Sequence, residues 1–268
     1  MRFSLVFAWV NNMLDSHCHL NDQALFPSRK EIIERAVSLG VDEFLVIGWD
    51  IPSSKLAIQI AHEFPSTYAA IGIHPENLEG ISDSSLKELE ELSKDPKVKA
   101  IGEIGLDYHW YKEKEEHDFQ KIWFIKQIEL ANALHLPLSI HARDASEDTY
   151  DILKEHTPLY GAVLHCYSGS KEMMDRFLKL GLYFGFDGPI TYKNSIVPKE
   201  CVIHCPLNRL LSETDSPYLS PVPFRGKTNE PAHIKEIVEQ MALLKQMDGK
   251  DIEKQIKENF HNLFHVEQ

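Results

Sequence analysis

The sequence predicts an α/β fold, a single (β/α)8 barrel of the TIM-like type. Three observations predict it. The chain has 268 residues, near the roughly 250 that such a barrel uses. Eight short β-rich runs alternate with longer amphipathic stretches, the pattern of βαβ units and a parallel sheet. Ligand-type side chains recur at the ends of those runs, in step with the strand–helix repeat. The alternation taken alone also fits a doubly wound open sheet.

In chain order, the expected strands are Met13–His17, Glu43–Ile47, Tyr68–Ile73, Val98–Ile104, Pro137–His141, Gly161–His165, Tyr183–Gly185 and Arg209–Ser212. Each is a short run in which β-branched, aromatic and other apolar side chains predominate. The expected helices are Arg29–Leu39, Ser53–Phe64, Asp83–Lys94, Lys114–Leu134, Ala145–Glu155, Lys171–Leu180, a short Ile196–Cys201, Pro231–Gln246 and Asp251–Phe264. In the first, Ile32, Ile33, Ala36 and Leu39 fall near helical spacing and Gly40 is a stop signal. Gly181 and the Asp95-Pro96 step punctuate later helix ends. No linker, low-complexity run or coiled-coil repeat interrupts the pattern, so residues 13–268 are expected to form one barrel domain.

Hydrophobic residues make up 43% and charged residues 26%, ordinary for a soluble globular protein. Lys and Arg number 28 against 41 Asp and Glu, a net charge of −13. A sequence-independent nucleic-acid binder is normally basic, so a nucleic-acid substrate would need local positive charge or bound metal. The four cysteines Cys18, Cys166, Cys201 and Cys205 form no C-x-x-C pair and read as reduced thiols in a cytoplasmic protein. Residues 1–12 are mostly apolar but too short for a membrane span. They read as an N-terminal extension upstream of a second start at Met13.

The chemistry sits at the strand ends. In a parallel barrel, active-site groups come from the C-terminal ends of several strands. The first strand ends in Asp15-Ser16-His17-Cys18-His19, and alternation turns His17 and His19 the same way. Later strands end in Ile73-His74-Pro75, Glu103-Ile104-Gly105-Leu106-Asp107, His141-Ala142-Arg143, His165-Cys166-Tyr167 and Glu213-Thr214-Asp215. Glu103 and His141 lie one strand–helix unit apart, as do His141 and His165. His165 and Asp215 lie two units apart. Single strand-end histidines are often structural, Asp215 could cap a turn, and Glu103 could pair with Arg143. Six ligand-type residues in register are a different matter.

Imidazole and carboxylate together suit Zn, Mn, Fe or Mg. Glu103, central in strand order, is the natural bridge between two ions. Asp215 could bind one metal and accept the proton of the attacking water. His62, His117, His135, His156, His204, His261 and His265 fall on helices or loops and read as surface or packing residues. No G-x-S-x-G elbow, phosphate loop or H-E-x-x-H is present. A Cys18 or Cys166 nucleophile would have to share its strand end with a metal ligand.

These residues resemble the TatD-type metal-dependent hydrolases, amidohydrolase-like TIM barrels. The resemblance runs from Met13 almost to the end. Asp15-Ser16-His17-Cys18-His19-Leu20, Gly72-Ile73-His74-Pro75 and Gly102-Glu103-Ile104-Gly105-Leu106-Asp107-Tyr108 carry it. So do Ile140-His141-Ala142-Arg143-Asp144-Ala145, His165-Cys166-Tyr167-Ser168-Gly169, Glu213-Thr214-Asp215-Ser216-Pro217-Tyr218-Leu219 and Arg225-Gly226-Lys227-Thr228-Asn229-Glu230-Pro231. The resemblance implies that His17, His19, Glu103 and Asp215 hold one divalent ion, and that Glu103, His141 and His165 hold the other. Mg or Mn is implied, and Zn is compatible. It implies a deoxyribonuclease that trims single-stranded DNA from its 3′ end, with DNA as its partner and no membrane or obligatory protein partner. His74 would lie beside the substrate phosphate, and Arg143 and Tyr167 are added to that shell. Glu230 is expected to fix the final loop. Asp187 departs from the family, which commonly carries Ser there, and would repel an anionic substrate unless it faces away or binds a cation. The same ligands could instead serve a D-aminoacyl-tRNA deacylase, an amidohydrolase or a lactonase. A non-catalytic barrel is a further reading.

Overall fold

The computed structural model describes residues 13–266. The expected extension, residues 1–12, lies outside them. Eight parallel strands run in the order β1 to β8: β1 Met13–Cys18, β2 Val41–Ile47, β3 Thr67–Ile71, β4 Val98–Asp107, β5 Leu138–Arg143, β6 Ala162–Leu164, β7 Tyr183–Phe186 and β8 Leu210–Ser212. Helices α1 Arg29–Ser38, α2 Ile51–Glu63, α3 Asp83–Leu92, α4 Lys114–Leu134, α5 Ser146–Glu155, α6 Lys171–Lys179 and α7 Val197–His204 connect them. Helices α8 Ile234–Lys245 and α9 Gly249–Phe264 follow β8.

Strands covered on both faces must be apolar on both. Val41, Phe44, Leu45, Val46 and Ile47 in β2, and Ala69, Ala70 and Ile71 in β3, are accordingly all buried. The helices show one apolar stripe each: α9 buries Ile252, Ile256, Phe260, Leu263 and Phe264. Their starts are written locally. At α2 the Asp50 carboxylate accepts the Ser53 amide at 2.7 Å while Ser53 Oγ accepts the Asp50 amide at 2.9 Å, a reciprocal cap worth about 1 kcal/mol.

Between β8 and β1, hydroxyls knit the seam. Ser16 Oγ donates to the Ser212 carbonyl at 2.9 Å and Ser212 Oγ to that of Leu14 at 3.2 Å. Beyond the strand ends, Asp215 N donates to His17 O at 2.9 Å and His19 N to Ser216 O at 2.8 Å. Outside the seam, α9 is pinned by Asn259 Nδ2, which donates to the carbonyls of Leu207 and Leu210 at 2.8 Å each. Glu43 of β2 receives Lys257 at 2.7 Å and His261 at 2.8 Å from the same helix.

The strand reading stands for all eight strands, with no end shifted by more than three residues. Two helix ends move for physical reasons. The chain leaves Glu230 through a short 3-10 turn, Pro231–His233, so α8 begins at Ile234. Helix α7 runs on to His204, carrying Cys201 and Val202 into the core, before Pro206 stops it.

Candidate metal centre

Two irregularities in the sheet aim the central side chains. The β1–β2 register shifts between Asp15 and Cys18, around His17, and the β4–β5 register shifts between Ile101 and Ile104, around Glu103. A local extra residue turns a side chain that simple alternation would send elsewhere. At Gly105 the backbone has φ +142°, and a Cβ there would sit 2.0 Å from the His141 carbonyl oxygen. Only glycine lets β4 pass β5 this closely.

The result is a buried cluster divided by one carboxylate. Glu103 Oε2 lies 3.5 Å from His17 Nε2 and 3.7 Å from His19 Nε2. Asp215 Oδ1 lies 3.7 and 3.3 Å from the same two nitrogens. Glu103 Oε1 faces the other way, 3.0 Å from His141 Nδ1, 2.7 Å from His165 Nε2 and 3.4 Å from His74 Nε2. All six expected ligands therefore meet, and His74 joins them. Glu103 stands between the two groups with one oxygen for each.

The outer nitrogens explain why the inner ones are available. His19 Nδ1 must donate to the Ile47 carbonyl, 3.1 Å away, because a carbonyl only accepts. His141 Nε2 donates to Asp107 Oδ2 at 3.0 Å. His17 Nδ1 pairs with Ser139 Oγ at 3.3 Å, and His165 Nδ1 faces Glu213 Oε1 at 3.7 Å. For His19 and His141 this leaves a lone pair pointing into the cluster, the tautomer a metal ligand needs. Nitrogen lone pairs and carboxylate oxygens converging at these distances form a donor set that fits divalent cations.

The electrostatics agree. Burial alone would raise Glu103, but the charges of His165 and His74 and the bonds from His141 and His165 hold it well below the ordinary carboxylate range. Burial opposes Asp215 too, and the His19 bond with the charges of His19, His17 and His165 keeps it low. Against the burial that lowers them, Glu103 and Glu213 raise His165 well above its ordinary value, Asp215 raises His19, and Asp107 and Glu103 raise His141. His17 and His74 are lowered, first by burial. Glu103 and Asp215 thus stay ionised despite burial, and their negative charge is what a cation would meet.

A cleft of about 560 Å³ opens onto this cluster, with Trp49, Trp110, Arg143 and Tyr218 around its mouth. Arg143 is exposed there, with its guanidinium 5.6 Å from the Trp110 ring centroid, and no ion pair to Glu103 forms. Tyr167 departs from the sequence reading. Strand β6 ends at Leu164, and the Tyr167 ring is buried against Phe184 and Phe186, its hydroxyl donating to the Ser170 carbonyl at 2.7 Å. It does not line the cleft. Asp187 also stays out of the cleft: it is buried, and burial with the Glu213 and Asp215 charges pushes its carboxyl well above the usual range. Glu230 pairs with Arg35 at 2.6 Å, tying the final loop to α1. Asp107, Glu213 and Ser139 are supports to which the sequence reading gave no role. For Asp107 a signal existed, since it lies four residues after Glu103 on one strand.

The family model described as TatD related DNase matches residues 14–265. A metal-dependent hydrolase of Bacillus subtilis strain 168, YabD, itself named as uncharacterized, is 43% identical over 255 residues, covering 95% of this chain and 99% of that one. The similarly named YcfH of Escherichia coli K12 is 34% identical over 259 residues, covering 95% and 96%. Among solved structures, the TatD homologue YJJV of Escherichia coli K12 superposes with a TM-score of 0.90 at 29% identity, covering 97% of this chain and 100% of that one.

Proposed function

The chain belongs to the TatD family and is a metal-dependent hydrolase, and on that premise we propose that it hydrolyses phosphodiester bonds of DNA, working from the 3′ end of single strands. The carrying observation is the division of Glu103, one oxygen to His17 and His19 and the other to His141 and His165. His17, His19, Glu103 and Asp215 would hold one divalent ion, and Glu103, His141 and His165 a second. When bound, such a pair neutralises phosphodiester charge and acidifies a water near neutral pH.

The chain's own groups do the rest. Asp215, held ionised beside His19, accepts the proton of the attacking water. His74 Nδ1 accepts the Glu76 amide at 3.1 Å, so its Nε2 carries the proton and can donate to a phosphate oxygen. Arg143 adds positive charge at the mouth of an otherwise acidic protein.

The test is a substrate panel with protein stripped of metal and resupplied with Mg or Mn. Single-stranded oligonucleotides labelled at either end should shorten from the 3′ end, and Asp215→Asn should abolish the ladder. Intact oligonucleotides alongside hydrolysis of D-aminoacyl-tRNA or a lactone would move the activity to ester substrates.

A further inference from the structure

Two large aromatic side chains stand uncovered at the cleft mouth. Trp110, in the loop after β4, is 65% exposed, and Tyr218, after β8, is 54% exposed. Both line the cleft. Trp110 follows β4 and Tyr218 follows β8, four strands apart in the eight-strand order, and the cleft they share is also lined by Glu103. Burying an aromatic ring is favourable, and the fold leaves that gain unused at both places.

Neither side chain is loose. The Trp110 amide donates to Asp107 Oδ1 at 3.1 Å, and its ring meets His109 edge-on at 4.6 Å. The Tyr218 amide donates to the Asp215 carbonyl at 2.9 Å, and its hydroxyl to Asp22 Oδ2 at 3.2 Å. Asp107 thus holds the Trp110 loop with one oxygen and His141 with the other.

We propose that Trp110 and Tyr218 are stacking platforms for the two bases that flank the scissile phosphate of an unpaired nucleic-acid strand. The inference rests on the nuclease reading above. Stacking on an aromatic ring strengthens binding about 5- to 150-fold per base and tolerates any sequence. Bases in a duplex already cover one another's faces, so two such platforms select single strands. Arg143 beside Trp110 extends that platform with a cation. Stacking also supplies affinity that a net charge of −13 withholds from phosphate contacts.

The test uses metal-loaded protein and short single strands that are complete or carry one abasic residue beside the cleaved bond. Trp110→Ala should raise KM about tenfold, the lower part of the stacking range, with the loss falling on KM rather than kcat. Trp110→Phe should recover most of it. On the strand abasic at that position, Trp110→Ala and the parent protein should converge. Tyr218→Ala should shift the same sensitivity to the base on the other side. Equal KM for the parent and Trp110→Ala on the complete strand overturns the proposal, as does an equal loss on complete and abasic strands. Should the parent protein cut no DNA, the nuclease reading falls, and binding decides the platforms. Fluorescence anisotropy showing tighter binding of the complete strand, lost in Trp110→Ala, supports them, and identical binding removes them.

Discussion

Glu103 Oε2 answers to His17 and His19 and Oε1 to His141, His165 and His74, so an amide in its place presents a donor to one of those groups where an acceptor stood. Glu103→Gln should therefore lose bound metal rather than merely slow turnover, which metal analysis after dialysis reads directly. Asp107 acts one bond further out. It fixes the His141 ring through Nε2, and its carboxyl is held down to about 2, where the His141 bond overcomes burial. Asp107→Asn should weaken metal affinity by about 10- to 100-fold, measured by competition with a chelating dye, and unchanged affinity would strip Asp107 of that role. At this scale the inward-facing donors were readable because strand ends converge on one rim. Asp107 could have been read from its place four residues after Glu103 on the same strand; Glu213 and Ser139 could not, because a supporting carboxylate or hydroxyl looks in sequence like any other polar strand residue. Tyr167 was added for standing next to a ligand, but β6 stops at Leu164, Cys166 takes φ 44°, and the Tyr167 ring lies in the core.

The elements explain how the site keeps its shape. The shifts in β1 and β4 and the glycine at 105 are places where regular strands could not aim His17, Glu103 and His141 together. Gly105→Ala should displace His141, lowering both stability and metal uptake, because neither the backbone angle nor the His141 carbonyl leaves room. Helix α9 offers a pH-dependent case away from the site. Glu253 is buried in its first half with Oε1 unpartnered, and burial, with the Asp248 charge, raises its pKa from 4.5 to about 7. A carboxyl raised in the fold favours the folded state below pH 4.5, and that contribution is lost as pH climbs through 7. Glu253→Gln should therefore raise the melting temperature at pH 8 and change it little at pH 5, and equal effects at both would refute the assignment. Element existence was legible from period and punctuation. The 3-10 entry to α8 was not, since Pro231 suits the first turn of either helix type.

For the molecule as a whole, the sequence signalled the barrel because strand, helix and ligand recur with one period. Alternation alone left the open sheet standing, and the hydroxyl-knit β8–β1 seam is what a linear pattern cannot display. No helix among the described residues is long and apolar enough to cross a membrane. Metal binding should add to overall stability. At about a thousandfold excess over Kd a bound ion adds about 4 kcal/mol, or about 8–16 °C in a chain of this size, so chelation should lower Tm by that order. The central claim is that one carboxylate serves two ions. Calorimetric titration of Mn into stripped protein, with hydrolysis followed at each step, tests it most directly. Two equivalents per chain, with activity appearing as the second fills and Glu103→Gln binding fewer, is the predicted result. A single equivalent that restores full activity, or activity indifferent to chelator, would contradict it.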